Sequence, residues 1–111
     1  MRPTARLLQY QHALRITLFT RQNCSLCTNA KQNLSTVWDK RPFIYKEIDV
    51  MTPEAKGWRD LYEFDTPVIH ISSSKKPEEL PSFSSQAQKL MHRFSPEQVT
   101  EKMDAVEARE D

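Results

Sequence analysis

Both cysteines of the chain fall in one tetrapeptide, Cys24-Ser25-Leu26-Cys27, and the run Ile16-Thr17-Leu18-Phe19-Thr20 stands just ahead of it. That run is uncharged and rich in β-branched and aromatic residues, the pattern of a strand inside a sheet covered on both faces. Arg21-Gln22-Asn23 makes a polar turn. Beyond it Leu26, Ala30, Leu34, Val37 and Trp38 recur at i, i+4, i+8, i+11 and i+12, one face of a helix from about Ser25 to about Asp39. The chain therefore has to join a buried strand to a helix that opens on Cys-x-x-Cys. No other segment concentrates reactive groups so tightly, so chemistry is expected here.

The remaining segments supply the partners for that strand and helix. Pro42 forbids continuation of the helix. Phe43–Val50 alternates, with Ile44, Lys46, Ile48 and Val50 on one side, and predicts a second strand. Thr52-Pro53-Glu54 has the form of a helix start, with Thr as N-cap and Pro in the first turn. Ala55, Trp58 and Tyr62 give that helix its buried face, while Gly57 weakens its interior by roughly 1 kcal/mol relative to Ala. Phe64-Asp65-Thr66-Pro67 ends it, and Val68-Ile69-His70-Ile71 is a third strand. Ser72 to Gln88 is polar and serine-rich and reads as a long exposed loop, either mobile or functional. Lys89–Phe94 is a fourth strand. Ser95-Pro96-Glu97 repeats the helix-start signature, and Val99, Met103 and Val106 carry a third helix to about Ala108.

The order β-α-β-α-β-β-α predicts an α/β fold, a four-stranded mixed sheet flanked by helices. With 111 residues there is room for one domain. It is placed at residues 15–108, after a flexible segment 1–14 and before a short tail 109–111.

Charge and glycine content narrow the function. A net charge of +1 argues against nucleic acid or an acidic membrane surface as the main partner. No apolar run approaches the ~20 residues needed to span a bilayer. Gly57 is the only glycine, which excludes the Gly-rich loops that cradle phosphates. Met1–Arg15 carries Arg2, Arg6 and Arg15 and no acid, and Leu7, Tyr10 and Leu14 have helical spacing. It reads either as a mitochondrial transit peptide or as a plain tail. Lacking the long apolar core of a secretory signal, the chain is expected inside the cell, in mitochondrion or cytoplasm.

In that setting a Cys-x-x-Cys is more often redox-active or metal-binding than a structural staple. At a helix start the Cys24 thiol faces unpaired N–H groups and the positive end of the dipole, which lower its pKa below the free value of ~8.5. Arg21 adds a cation if the turn folds back. Cys27, one turn further on, comes within reach of a disulfide with Cys24. Cys24 is thus the expected nucleophile and Cys27 the resolving thiol, partly shielded by Leu26. Two other readings stand beside this one. Half a zinc site would need further ligands, and His12, His70 and His92 are scattered along the chain. The pair could also be purely structural.

Strand, Cys-Ser-Leu-Cys, helix, strand, helix and then Thr66-Pro67 before another strand resembles the thioredoxin fold, and more closely the glutaredoxin-like family with a C-x-L-C motif. The likeness runs from about Arg15 to about Val106. It implies a cis Pro67 against the cysteine pair, with the Thr66 backbone pairing to the substrate. It also implies a thiol–disulfide oxidoreductase acting as a monomer on a protein or low-molecular-weight disulfide, with glutathione as reductant and no metal or nucleotide cofactor. Three departures qualify the likeness. Arg21 replaces the usual Lys, Ser25-Leu26 replaces an aromatic or Pro between the cysteines, and His92-Arg93-Phe94-Ser95 replaces a Gly-Gly pair and acid. Either the glutathione groove is narrowed there, or Arg93, beside Ser95, takes over recognition of a carboxylate. The resemblance allows two rivals: an iron–sulfur or metal carrier ligated through Cys24, and a redox-inactive module whose Ser72–Gln88 loop binds a partner.

Overall fold

A computed structural model describes residues 13–109 of the chain. The apolar run becomes the central strand β1 (Leu14–Thr20), buried at all seven positions. Strand β2 (Ile44–Asp49) lies parallel to it on one side, and β3 (Val68–Ser73) antiparallel on the other. Strand β4 (Gln88–Met91) pairs antiparallel with β3, completing a mixed sheet of order β2-β1-β3-β4. Helices α1 (Ser25–Lys40), α2 (Lys56–Tyr62) and α3 (Pro96–Arg109) follow β1, β2 and β4. The expected α/β architecture and its element order are thus present.

Alternation along the two inner strands builds a core on each face of the sheet. Leu14, Ile16 and Leu18 of β1 join Ile69 and Ile71 of β3 on one face, under Ala30, Leu34 and Val37 of α1 and Val99, Met103 and Val106 of α3. Phe19 and Val68 face the other way, packing with Ala55, Trp58 and Tyr62. Phe19 lies 4.3 Å from Trp58 and 5.3 Å from Tyr62 between ring centroids. These are the helical faces that the spacings predict, except that Trp38, expected on the buried face of α1, is 42% exposed, its indole N–H donating to the Phe43 carbonyl at 3.0 Å.

Boundaries and caps differ in places: the fourth strand, expected over Lys89–Phe94, spans Gln88–Met91, because His92 turns left-handed with φ of 67°. β1 opens at Leu14, inside the segment expected to be flexible, because Leu14 is buried and pairs with Ser73. The expected helical use of Leu14 is therefore replaced by a strand, while Leu7 and Tyr10 lie outside the described residues. Thr52 precedes a 3₁₀ turn (Pro53–Ala55) and makes no side-chain cap; its hydroxyl donates to the Asp49 carbonyl at 3.0 Å. Ser95 does cap its helix, reciprocally with Gln98: Ser95 N–H donates to Gln98 Oε1 at 2.8 Å and Gln98 N–H to Ser95 Oγ at 3.2 Å.

The loop expected between Ser72 and Gln88 is largely exposed, but it is neither structureless nor untethered. Its first residues belong to β3, and Pro81–Gln86 forms a second 3₁₀ segment. Glu79 ties its middle to the sheet, accepting from His70 Nδ1 at 2.9 Å and lying 3.7 Å from Arg15. Arg15 also donates to the carbonyls of Lys76 (3.2 Å) and Pro77 (2.8 Å). No helix among the described residues is long and apolar enough to cross a membrane.

Candidate functional site

The sheet gathers four chain segments at one end. β1 and β2 run parallel, so their C-terminal ends meet there, and Val50 N–H donates to the Thr20 carbonyl at 3.0 Å. β3 starts at the same end, because its register sets Phe19 against Val68. β4 ends there too: His92 N–H donates to the Pro67 carbonyl at 2.7 Å. The turn after β1 thus carries Cys24 into the neighbourhood of the loops around residues 50, 66 and 92.

Asn23 makes the last bend before the helix, with φ of 57°, a left-handed conformation that Asn tolerates better than most side chains. Cys24 then occupies the N-cap of α1 in extended conformation, and its sulfur accepts the Cys27 N–H at 3.1 Å. The cap position therefore belongs to a thiol sulfur, where Ser, Thr, Asp or Asn would ordinarily stand. Cys24 is half-buried, whereas Cys27 is only 2% exposed. Their Cα atoms are 5.2 Å apart and the two sulfurs form a disulfide, within the span such a bond requires. Leu26 is half-buried between them.

The other residues singled out from sequence are placed as follows. The Thr66–Pro67 peptide bond is cis, with Pro67 fully buried and Thr66 half-buried. Among the described residues the Thr66 N–H and C=O make no backbone hydrogen bond. Arg21 donates to the Glu63 carbonyl at 2.8 Å, tying the turn before Cys24 to the end of α2. Arg93 is exposed beside a groove of about 260 Å³ that also involves Leu26, Asn29, Asn33 and His92. Ser95 commits its hydroxyl and N–H to the helix cap.

Two contributors, Asn33 and Asp65, were not visible in sequence, and the part played by His92 was visible only as a junction without glycine. Asn33 Nδ2 donates to the Phe94 carbonyl at 2.8 Å, fixing the groove wall to α1. His92 takes φ of 67°, so a left-handed residue stands where the resemblance leads one to look for glycine. Its Nε2 is 3.4 Å from Asp65 Oδ1, next to Thr66. The missing glycine pair was the signal that this junction is unusual, but the Asp65 contact needs two loops to converge. Among the described residues no three His, Cys, Asp or Glu side chains come together as a metal site.

With the geometry in place, comparison with known proteins agrees with it. Residues 15–104 match the family described as Glutaredoxin-like domain (DUF836). Among solved structures, a structural-genomics target protein from X. campestris aligns with TM-score 0.57 and 20% identity, over 81% of this chain and 96% of that one. Thioredoxin 1 from Thermosipho africanus gives TM-score 0.61 and 17% identity, over 87% and 99% of the two chains. Fasciola hepatica thioredoxin gives 0.56 and 15%, over 93% and 90%. At such identities these likenesses establish the fold, and the family match establishes kinship. The chain belongs to the glutaredoxin-like family, with a thioredoxin fold and a redox-capable Cys24–Cys27 pair.

Proposed function

We propose that the protein is a glutaredoxin-like thiol–disulfide oxidoreductase in which Cys24 attacks and Cys27 resolves. The observation that carries this reading is the asymmetry of the pair: a half-buried cysteine at the helix N-cap, and a fully buried one behind it within bonding reach. In the reduced protein the Cys24 thiolate gains from the free N–H groups of the first helical turn. It attacks one sulfur of a substrate disulfide; that S–S bond breaks and the leaving thiolate takes a proton from solvent. Cys27, deprotonated, then attacks Cys24 Sγ and releases the second substrate thiol. The substrate gains two electrons and two protons, and the protein is left as the Cys24–Cys27 disulfide. Two equivalents of a low-molecular-weight thiol of the glutathione class return it to the dithiol.

In this reading the unpaired backbone of Thr66 beside Pro67 docks the substrate as an added strand, and Arg21 holds that loop's entry. Arg93 meets a carboxylate of glutathione in the adjoining groove, its backbone set by the Ser95 cap. No metal or nucleotide is needed. A thiol-reducing compartment, mitochondrion or cytoplasm, suits the reaction.

The test is a mixed-disulfide trap. Cys27→Ser should retain a disulfide-linked partner or glutathione adduct on Cys24, visible by mass spectrometry and released by dithiothreitol. Cys24→Ser should retain none and lose reductase activity. Unchanged activity in Cys24→Ser sinks the proposal.

A further inference from the structure

The most exposed large apolar side chain at the redox end is Phe64, at 88%. It is held outward rather than left loose. The preceding residue is fixed by Arg21, which donates to the Glu63 carbonyl at 2.8 Å. The following residue, Asp65, is held through its N–H, which donates to the Tyr62 carbonyl at 2.9 Å, and its carboxylate lies 3.4 Å from His92 Nε2. Both anchors, Arg21 and His92, belong to the loops that frame Cys24 and Pro67. The backbone on either side of Phe64 is thereby anchored, and the ring stands in water two residues before Thr66. Leu61, on the last turn of α2, and Met51, next to Val50, are also exposed.

None of these three side chains lines the groove beside Arg93. A small anionic ligand filling that groove leaves Phe64 in water. An extended polypeptide that pairs with the unbonded Thr66 backbone and offers a sulfur to Cys24 would run beside the loop from which Phe64 projects, two residues before Thr66. Resting on the redox reading of Cys24, we propose that Phe64 is a specificity-determining contact for polypeptide disulfides. It selects partners with an aromatic or branched apolar side chain close to the cysteine that Cys24 attacks. The chemistry is the exchange already written, with the substrate disulfide reduced and the protein's dithiol oxidised. Phe64 touches only the flanking side chain and takes no part in bond making.

The experiment uses the full chain, reduced with dithiothreitol and desalted, so that each molecule turns over once. Two synthetic peptide disulfides are supplied, identical except that Phe or Ser flanks the reactive cysteine. Wild type should reduce the Phe-flanked peptide about tenfold faster, the scale of partly burying one aromatic side chain. Phe64→Ser should bring the ratio of the two rates close to one, and Phe64→Leu should restore much of it. The ring is almost fully exposed, so neither substitution removes a buried contact, and circular dichroism should show an unchanged fold. Equal rates in wild type, or an unaltered ratio in Phe64→Ser, overturn the assignment while leaving the redox reading intact. Failure of wild type to reduce either peptide overturns the substrate role, and the Cys27→Ser mixed-disulfide trap then decides the redox reading separately. A wild-type dimer in sedimentation that Phe64→Ser dissociates makes the ring an interface between copies and overturns the substrate role.

Discussion

Gly57 is the only glycine of the chain, and the reason for it is spatial. It sits inside α2, where glycine costs roughly 1 kcal/mol relative to Ala. A Cβ there would meet Pro81 Cγ at 2.9 Å, and a proline ring in a 3₁₀ segment has little room to give. Gly57→Ala should therefore fail to gain the helix-propensity benefit and should lower the melting temperature. Gly57→Ala with Pro81→Ala should recover part of the loss, because the clash and not the helix is at fault. Thermal unfolding of the two single variants and the double variant tests the coupling. His92 is the opposite case, a bulky residue where the backbone favours glycine. Its φ of 67° carries about 1–2 kcal/mol of left-handed strain. Some of that returns as lost chain entropy on substitution with glycine. His92→Gly should be neutral or slightly stabilising, while His92→Ala should not be stabilising, measured by urea denaturation. Gly57 is legible in the sequence as a weakness in a helix; its cause is not, because Pro81 lies 24 residues away in the numbering.

Among the elements, the segment between β3 and β4 departs furthest from its sequence pattern. Serine, proline and charge predict a solvated loop, yet one carboxylate fastens it to the sheet. His70, fully buried on β3, is bonded on both nitrogens, to Tyr62 Oη at 2.7 Å and to Glu79 at 2.9 Å. The hydrogen bond from His70, helped by the charge of Arg15 and opposed by burial, holds the Glu79 carboxyl below its ordinary range. Removing it leaves a buried imidazole N–H and guanidinium short of a partner. Glu79→Ala should cost about 1–3 kcal/mol at pH 7. The sign of the pH dependence follows from the direction of the shift. The folded state holds Glu79 ionised more firmly than the unfolded chain does. Its contribution is therefore complete above the unfolded carboxyl value of about 4.3 and is lost as pH falls through the lower folded value. The stability gap between wild type and Glu79→Gln should narrow as pH drops below about 4, read from melting temperatures across that range.

At the scale of the whole molecule, two cores share one strand. Phe19 faces the smaller core, in contact with Trp58, Tyr62 and His70. Phe19→Ala should cost about 3–5 kcal/mol, against a total of about 5–15 kcal/mol for a domain. Because β1 feeds the Cys24 turn, that variant should also loosen the redox end. Urea unfolding followed by tryptophan fluorescence should show an earlier midpoint, and the part of the native spectrum that comes from buried Trp58 should shift to the red.

The sequence by itself determined the elements, their order and the reactive pair. Strand period, helix period and Cys-x-x-Cys are local patterns, written within a few residues of each other and enforced by backbone sterics and burial. It also pointed to Thr66-Pro67 and to the junction at His92-Arg93. Only the tertiary structure decided what surrounds them: Arg21 on the Glu63 carbonyl, Asp65 beside His92, Asn33 on the Phe94 carbonyl and Glu79 on His70. Three of these join segments far apart in the chain, and the fourth, Glu79 on His70, folds a loop back nine residues onto its own strand; the partners are chosen by the register of the sheet. A single polar residue carries no periodic signal of the partner it will meet. The Cys24–Cys27 pair was readable because both of its members and the helix that presents them lie in one stretch; the contact that ties Arg21 to the Glu63 carbonyl, next to Phe64, was not.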